Sequence, residues 1–135
     1  MNTVHEILNQ PRHREIYSVL PDQSVLSVAQ FLRFKNIGAV AVVQDNVLLG
    51  VVTERDLLNK VLSPGLDPRD VPVREVMSRD LTCVSPDETF EDCLIKFRST
   101  HCRHLPVVQN GRLIGMISLR DVLGVEAPEV ARMER

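Results

Sequence analysis

The chain has 135 residues, 44% of them hydrophobic, and its 16 Lys and Arg against 18 Asp and Glu leave a formal net charge of −2. That length fits one globular domain or two small intertwined halves, and the charge supplies no drive toward nucleic-acid phosphates. Aromatic residues make up only 4%, with no Trp, which argues against base-stacking platforms, and no apolar run approaches the roughly 18 residues that a membrane span needs.

From the N-terminus, the stretch MNTVHEILNQPRHRE lacks the apolar centre of a secretion signal, so a cytoplasmic protein is expected. Val4, Ile7 and Leu8 have the spacing of a short helix that covers an edge, while His5 and His13 are expected in solvent. A brief strand over 16–20 stops at Pro21, and Ser24 is placed to cap a helix over 24–36 whose Val25, Val28, Ala29 and Leu32 face inward. Two apolar strands follow, Ala39–Gln44 and Val47–Thr53, around the turn Asp45-Asn46, and then a helix over 55–62. Their near-continuous Val, Leu and Ile predict burial on both sheet faces. Residues 63–68, Ser-Pro-Gly-Leu-Asp-Pro, form a breaker-rich joint, and 71–77 predict a single helical turn.

The same order then recurs. A strand over 81–85 stops at Pro86; Thr89 caps a helix over 89–101 with Phe90, Cys93, Leu94 and Phe97 inward. Strands His104–Gln109 and Arg112–Ser118 flank Asn110-Gly111, a pair suited to the positive φ angles of a two-residue hairpin turn. A helix over 119–125 closes the copy, and 126–135 are expected to fray. The two copies align without a gap at an offset of 65 residues, the step from Pro21 to Pro86. The fold class is therefore α/β (α+β): two β-α-β-β-α repeats, with an N-terminal segment 1–15, repeat one 16–66, a linker 67–79, repeat two 80–125 and a tail 126–135. A lone repeat buries little core, so the two are expected to pack together.

Each copy ends on the same polar pattern, Gly50-Val-Val-Thr53-Glu-Arg55-Asp56 and Gly115-Met-Ile-Ser118-Leu-Arg120-Asp121. A hydroxyl at a helix start can cap the helix, or it can join the exposed N–H groups in holding a phosphate. A carboxylate one turn later can grip the vicinal hydroxyls of a ribose, and Arg55 and Arg120 would put positive charge near a phosphate. Helix stability alone also selects these residue types at these positions, and a duplicated fold duplicates its caps.

With both terminal motifs and this order of elements, the chain from about Ile16 to Gly124 resembles a tandem pair of cystathionine-β-synthase-type (CBS) domains. Residues 72–77, Pro-Val-Arg-Glu-Val-Met, and 103–108, Arg-His-Leu-Pro-Val-Val, resemble the small stand-alone bacterial pairs in particular. The resemblance implies a disc-like module with two pseudo-twofold clefts that take adenosine-containing ligands such as AMP, ADP, ATP, NAD(H) or S-adenosylmethionine, and association as a homodimer. It assigns Asp56 and Asp121 to ribose hydroxyls, and Thr53 and Ser118 to phosphate or ribose. Ser18, Val19, Ile37, Gly38 and Ala39 in one copy, and Cys83, Val84, Cys102, Arg103 and His104 in the other, would surround the base, with Leu105 and Pro106 among the ligand-binding residues. Family members often carry Thr where Ser18 and Cys83 stand, which weakens side-chain contacts to a base at Cys83. Pro106 against Ala41 makes the clefts unequal.

The implied function is regulatory: a sensor whose ligand alters module or dimer geometry. The alternative is a dimerisation or interaction module with vestigial clefts, and a weaker third is a redox- or metal-responsive protein using Cys83 and Cys102. No nucleophile elbow and no Gly-rich phosphate loop is present, so an enzyme is not expected. The three cysteines form no C-x-x-C pair and are expected as reduced thiols, and His101, Cys102 and His104 match no zinc spacing, so no metal is expected.

Overall fold

A computed structural model describes residues 2–124; the expected end of the last helix and the expected frayed tail, 125–135, lie outside the described residues. Chain order runs α1 (Val4–Leu8), a 3-10 turn (Pro11–His13), β1 (Ser18–Val19), α2 (Val25–Lys35), β2 (Ala39–Gln44) and β3 (Val47–Thr53). It continues through α3 (Glu54–Leu57) and its wider π-type continuation (Leu58–Leu62), a 3-10 turn (Val73–Glu75), α4 (Phe90–Thr100), β4 (His104–Gln109), β5 (Arg112–Ser118) and α5 (Leu119–Gly124). The described residues form two compact units, Tyr17–Leu81 and 2–16 with 82–124. Among the described residues, no helix is long and apolar enough to cross a membrane.

In the unit Tyr17–Leu81, β1 pairs in parallel with β2, and β2 pairs antiparallel with β3. Ser24 Oγ accepts the Ser27 N–H at 3.1 Å to start α2, which buries Val25, Val28 and Leu32, and Asn36 ends it in the left-handed region at φ 57°. The other unit repeats the solution with stronger capping. Thr89 and Asp92 exchange side-chain-to-backbone hydrogen bonds at the start of α4, and His101 ends that helix at φ 56°. Both hairpins turn through two consecutive positive φ angles, 53° and 64° at Asp45-Asn46, 53° and 78° at Asn110-Gly111. Both also carry a bulge at the same repeat position, Val42/Val43 and Val107/Val108.

Three expectations change. The strand over 81–85 is reduced to one parallel bridge, Val84 to Val107, because Pro106 has no N–H with which to extend the pairing toward Thr82, where Ala41 in the other unit has one. Burial on both faces holds for Ala39–Val42 but not for the hairpin tip, where Val47 is 54% exposed. The helix after Thr53 is not uniform: it widens at Leu58, with the Ser63 N–H reaching the Leu58 carbonyl at 2.8 Å.

The segment ahead of each copy packs with the other copy. In one unit the linker lies on copy one: Val25 N–H donates to the Val71 carbonyl, Val73 N–H to Gln23 and Arg74 N–H to Pro21. In the other, the N-terminal segment makes the same bonds one repeat later: Phe90 N–H to Asn2, Val4 N–H to Glu88 and His5 N–H to Pro86. The side chains follow suit, since Arg74 pairs with Asp22 and His5 meets Asp87 at 3.3 Å. Val73, Val76 and Met77 are core on one side, as are Val4 and Ile7, both 0% exposed, on the other. Even the glycines agree: a Cβ at Gly50 would stand 2.7 Å from Met77 Sδ and one at Gly115 2.7 Å from Leu8 Cδ2.

Val4-His-Glu-Ile-Leu8 is thus the counterpart of Val73-Arg-Glu-Val-Met77, at an offset of 69 residues rather than 65. The four extra residues fall after Leu8. Where the linker continues as a bridge between Ser78 and Val51, the N-terminal segment turns through Pro11–His13 instead.

Candidate functional site

Ala39 lies opposite Thr53 across the β2–β3 pair, and the Glu54 N–H donates to the Gly38 carbonyl at 3.0 Å, so the strand ends gather Gly38, Ala39, Thr53 and Asp56. In the other unit His104 lies opposite Ser118, and the Leu119 N–H donates to the Arg103 carbonyl at 2.8 Å, gathering Arg103, His104, Ser118 and Asp121. Ser18 and Cys83 sit one strand over, Ser18 beside Ala41 and Cys83 next to Val84, whose N–H binds the Pro106 carbonyl. The side chains of Val19, Val84 and Leu105 are core, so only their backbones could meet a ligand; Ile37 is half-buried against the core. Arg55 and Arg120 are exposed and make no ion pair among the described residues.

Both acids complete a reciprocal cap. Thr53 Oγ1 accepts the Asp56 N–H at 3.1 Å, while Asp56 Oδ2 accepts the Thr53 N–H at 2.9 Å and its hydroxyl at 3.1 Å. Ser118 Oγ accepts the Asp121 N–H at 3.0 Å, and Asp121 Oδ2 accepts the Ser118 N–H at 2.7 Å. One oxygen of each carboxylate is therefore committed to its helix. The two hydroxyls are committed as acceptors as well.

The second oxygens differ. Asp56 Oδ1 meets the ammonium of Lys60 at 3.2 Å, an i,i+4 pair on the same helical segment; the Lys60 side chain is 44% exposed and also donates to the Val76 carbonyl at 2.9 Å. Val125 stands at the corresponding place in copy two. Asp121 Oδ1 is held instead by the N-terminal turn, by Arg12 Nη2 at 2.8 Å and His13 Nε2 at 3.4 Å. The Asp121 side chain is 12% exposed and that of His13 13%, so His13 is enclosed rather than solvated as its sequence context suggests.

Electrostatics follow from this packing. Burial pushes the Asp121 pKa up, but the close His13 contact, the Ser118 N–H hydrogen bond and the Arg12 guanidinium outweigh it and hold the carboxyl below its ordinary range. Burial, aided by Arg103, lowers the pKa of His104 against the pull of Asp121, favouring the neutral imidazole. Burial also raises Cys83, against the opposing charge of Lys96, and lifts Cys93 to about 11, so neither is an activated thiolate. Cys102 lies 2.8 Å from Thr100 Oγ1, and all three thiols are free. No group of three His, Cys, Asp or Glu side chains converges to hold a metal among the described residues.

The profile of the CBS domain matches residues 4–63 and 73–127. The chain belongs to the CBS-domain family. CBS pairs are regulatory modules. This CBS pair is 33% identical over 123 residues to the Methanopyrus kandleri protein MK0525, covering 90% of this chain and 63% of that protein, so it spans less than two thirds of that relative. It is similar to the crystal structure of the CBS-domain containing protein ATU1752 from Agrobacterium tumefaciens, with 32% identity, a TM-score of 0.86, and 93% and 99% of the two chains covered. It shares its fold with the CBS domain pair of protein MJ0100, solved with 5-methylthioadenosine and S-adenosyl-L-methionine, at 22% identity, TM-score 0.82, and 96% and 98% coverage.

The sequence signal that locates Asp56 and Asp121 does not reach Lys60, Arg12 or His13. Lys60 was legible as an i,i+4 partner of Asp56. The second, shorter repeat Val-x-Glu-Ile/Val-Leu/Met was the available signal for the N-terminal turn, since it aligns residues 4–8 with 73–77 and isolates the four-residue excess that carries Arg12 and His13.

Proposed function

We propose that this CBS pair is a regulatory module that binds an adenosine-containing ligand, of the class AMP, ADP, ATP, NAD(H) or S-adenosylmethionine, and that binding changes the geometry of the module or of a homodimer. The observation that carries this proposal is the state of Asp56. Among the described residues its Oδ1 faces only a half-exposed lysine on a flexible stem, and such i,i+4 pairs contribute ~0.3–0.5 kcal/mol, less than a ribose hydroxyl gives in a charge-assisted hydrogen bond, ~1.5–3 kcal/mol. The diol can therefore displace the amine. Gly38, Ala39 and Ser18 would lie along the base, and Arg55 near phosphate. The adenosine ligands of MJ0100 support this class. Titration calorimetry of the wild type and Asp56→Ala with AMP, ATP, NADH and S-adenosylmethionine tests it. Loss of at least 10-fold in affinity on substitution is expected. Identical isotherms in the two proteins would remove Asp56 from the site.

One observation favours a second reading, an interaction module. An open groove of about 280 Å³ runs between α2 and α3, lined by Ala29, Leu32, Ile37 and Leu57, and Leu58 and Leu62 beside it are 55% and 59% exposed. A homodimer through this face would cover them. Sedimentation equilibrium decides: Leu62→Glu should shift a dimer toward monomer, and an unchanged mass would exclude the face.

A further inference from the structure

The two acids that the repeat makes equivalent are not equally available, and the cause lies in the N-terminal segment. We infer that the turn Pro11–His13 is a latch that keeps Asp121 closed, so that Asp56 is the open sugar-binding carboxylate of the chain and Asp121 binds only after the turn is released. What the latch excludes, a vicinal diol, rests on the nucleoside reading above; the latch itself rests on geometry.

Every oxygen of Asp121 is used. Oδ2 takes the Ser118 N–H at 2.7 Å, and Oδ1 takes Arg12 at 2.8 Å with His13 Nε2 at 3.4 Å. The His13 nitrogen is buried against the acid and has no hydrogen-bond partner among the described residues. His104 lies opposite Ser118 across the strand pair, with an imidazole that its surroundings favour neutral. A ribose arriving at Oδ1 must expel both a guanidinium and an imidazole. At Asp56 it need move one ammonium.

The turn is built to be released without unfolding its unit. α1 is anchored separately, by Val4 and Ile7 in the core and by backbone bonds to Pro86 and Glu88. Between Leu8 and Ser18 the chain carries four residues more than between Met77 and Cys83. The 3-10 turn contributes no apolar residue to the core; His13 is enclosed only against Asp121's side of the unit, and Arg12 is 56% exposed. The Arg12 and His13 contacts with Asp121 are thus its main tether. Removing them should strengthen diol binding at Asp121 by about 10- to 100-fold, the share of molecules that the closed state withholds.

Two measurements test this on the full chain. Limited trypsin cleavage at Arg12 and Arg14 should be at least 10-fold faster in Asp121→Asn than in the wild type, with cleavage at Arg98 on α4 unchanged as the sign that the unit stays folded. Equal rates at Arg12 and Arg14 would overturn the latch whatever the ligand. Calorimetry with AMP and with S-adenosylmethionine should give one molecule per wild-type chain, lost in Asp56→Ala, and two in Arg12→Ala/His13→Ala, the second lost on adding Asp121→Asn. Two molecules in the wild type, or one in the double variant, would overturn it too. Faster cleavage in Asp121→Asn with neither probe bound by any variant would support the latch and reject the nucleoside reading instead.

Discussion

Asp56 and Asp121 occupy the same place in the repeat, cap the same helix and spend the same oxygen on it, yet their remaining charge is balanced from opposite directions. Asp56 is answered from within its own helical segment, by Lys60; Asp121 is answered from more than a hundred residues away, by Arg12 and His13. The two carboxylates are almost equally covered, 15% and 12% exposed, but Asp56 meets one half-exposed lysine whereas Asp121 meets a half-exposed arginine and an enclosed histidine. A duplicated motif therefore need not be a duplicated site, because the motif specifies the cap and the surroundings decide whether the acid can still bind anything.

The largest expected effect asks whether the N-terminal segment belongs to the second copy at all. Ile7→Ala, which empties a fully buried position, should cost about 3 kcal/mol in urea unfolding, comparable to Val76→Ala at the matching linker position. A cost under ~0.5 kcal/mol would make the segment an appendage and end the comparison.

Next, the two glycines separate the units. A Cβ at Gly50 meets Met77 Sδ at 2.7 Å and also the backbone carbonyl of Ser78 at 2.8 Å, whereas at Gly115 its one close neighbour is the end of the Leu8 side chain. Gly50→Ala should cost about 2–3 kcal/mol and Gly115→Ala about 1 kcal/mol, since a leucine tip can move and a backbone cannot. Equal thermal shifts would show the two contacts to be equally rigid.

Truncating the acids sharpens the contrast at the site. Asp121→Ala loses the cap and leaves His13 enclosed without its partner, about 2 kcal/mol; Asp56→Ala loses the cap and a half-exposed pair, about 1 kcal/mol. A reversed order by chemical denaturation would place the tighter ion pair in the wrong unit.

The smallest effect is in pH. His104 has a folded pKa below its unfolded value of ~6.5, so the unfolded chain binds the proton first and stability is lost as pH falls from above 6.5 toward the folded value. The depressed Asp121 carboxyl adds a separate stabilisation, present in full above its unfolded value of ~3.9 and lost as pH falls through the folded one. Tm should therefore decline on acidification from pH 7.5 to 5, and His104→Gln should flatten that window while leaving the decline below pH 4. A wild-type Tm that rises on the way to pH 5 would contradict the sign.

Much of this was readable in one dimension. The caps at Ser24 and Thr89, the hairpin turns, the strand positions and the Thr/Ser-x-x-Asp pairs all depend on residues within four positions of one another, where side-chain reach and backbone preference dominate. The partial failures share a different character. The strand over 81–85 shrank because of a proline twenty residues on, and the His13 environment was set by an acid at the far end of the chain.

Local chemistry therefore specified, by itself, the repeat, the elements and the reciprocal caps, because each is decided by neighbours along the backbone. Tertiary structure alone decided that the leading segment of each copy completes the other, and that a four-residue excess brings Arg12 and His13 onto Asp121. The reason is physical: the stability of a buried carboxylate depends on which charges surround it in space, and spacing in the chain does not say which will arrive.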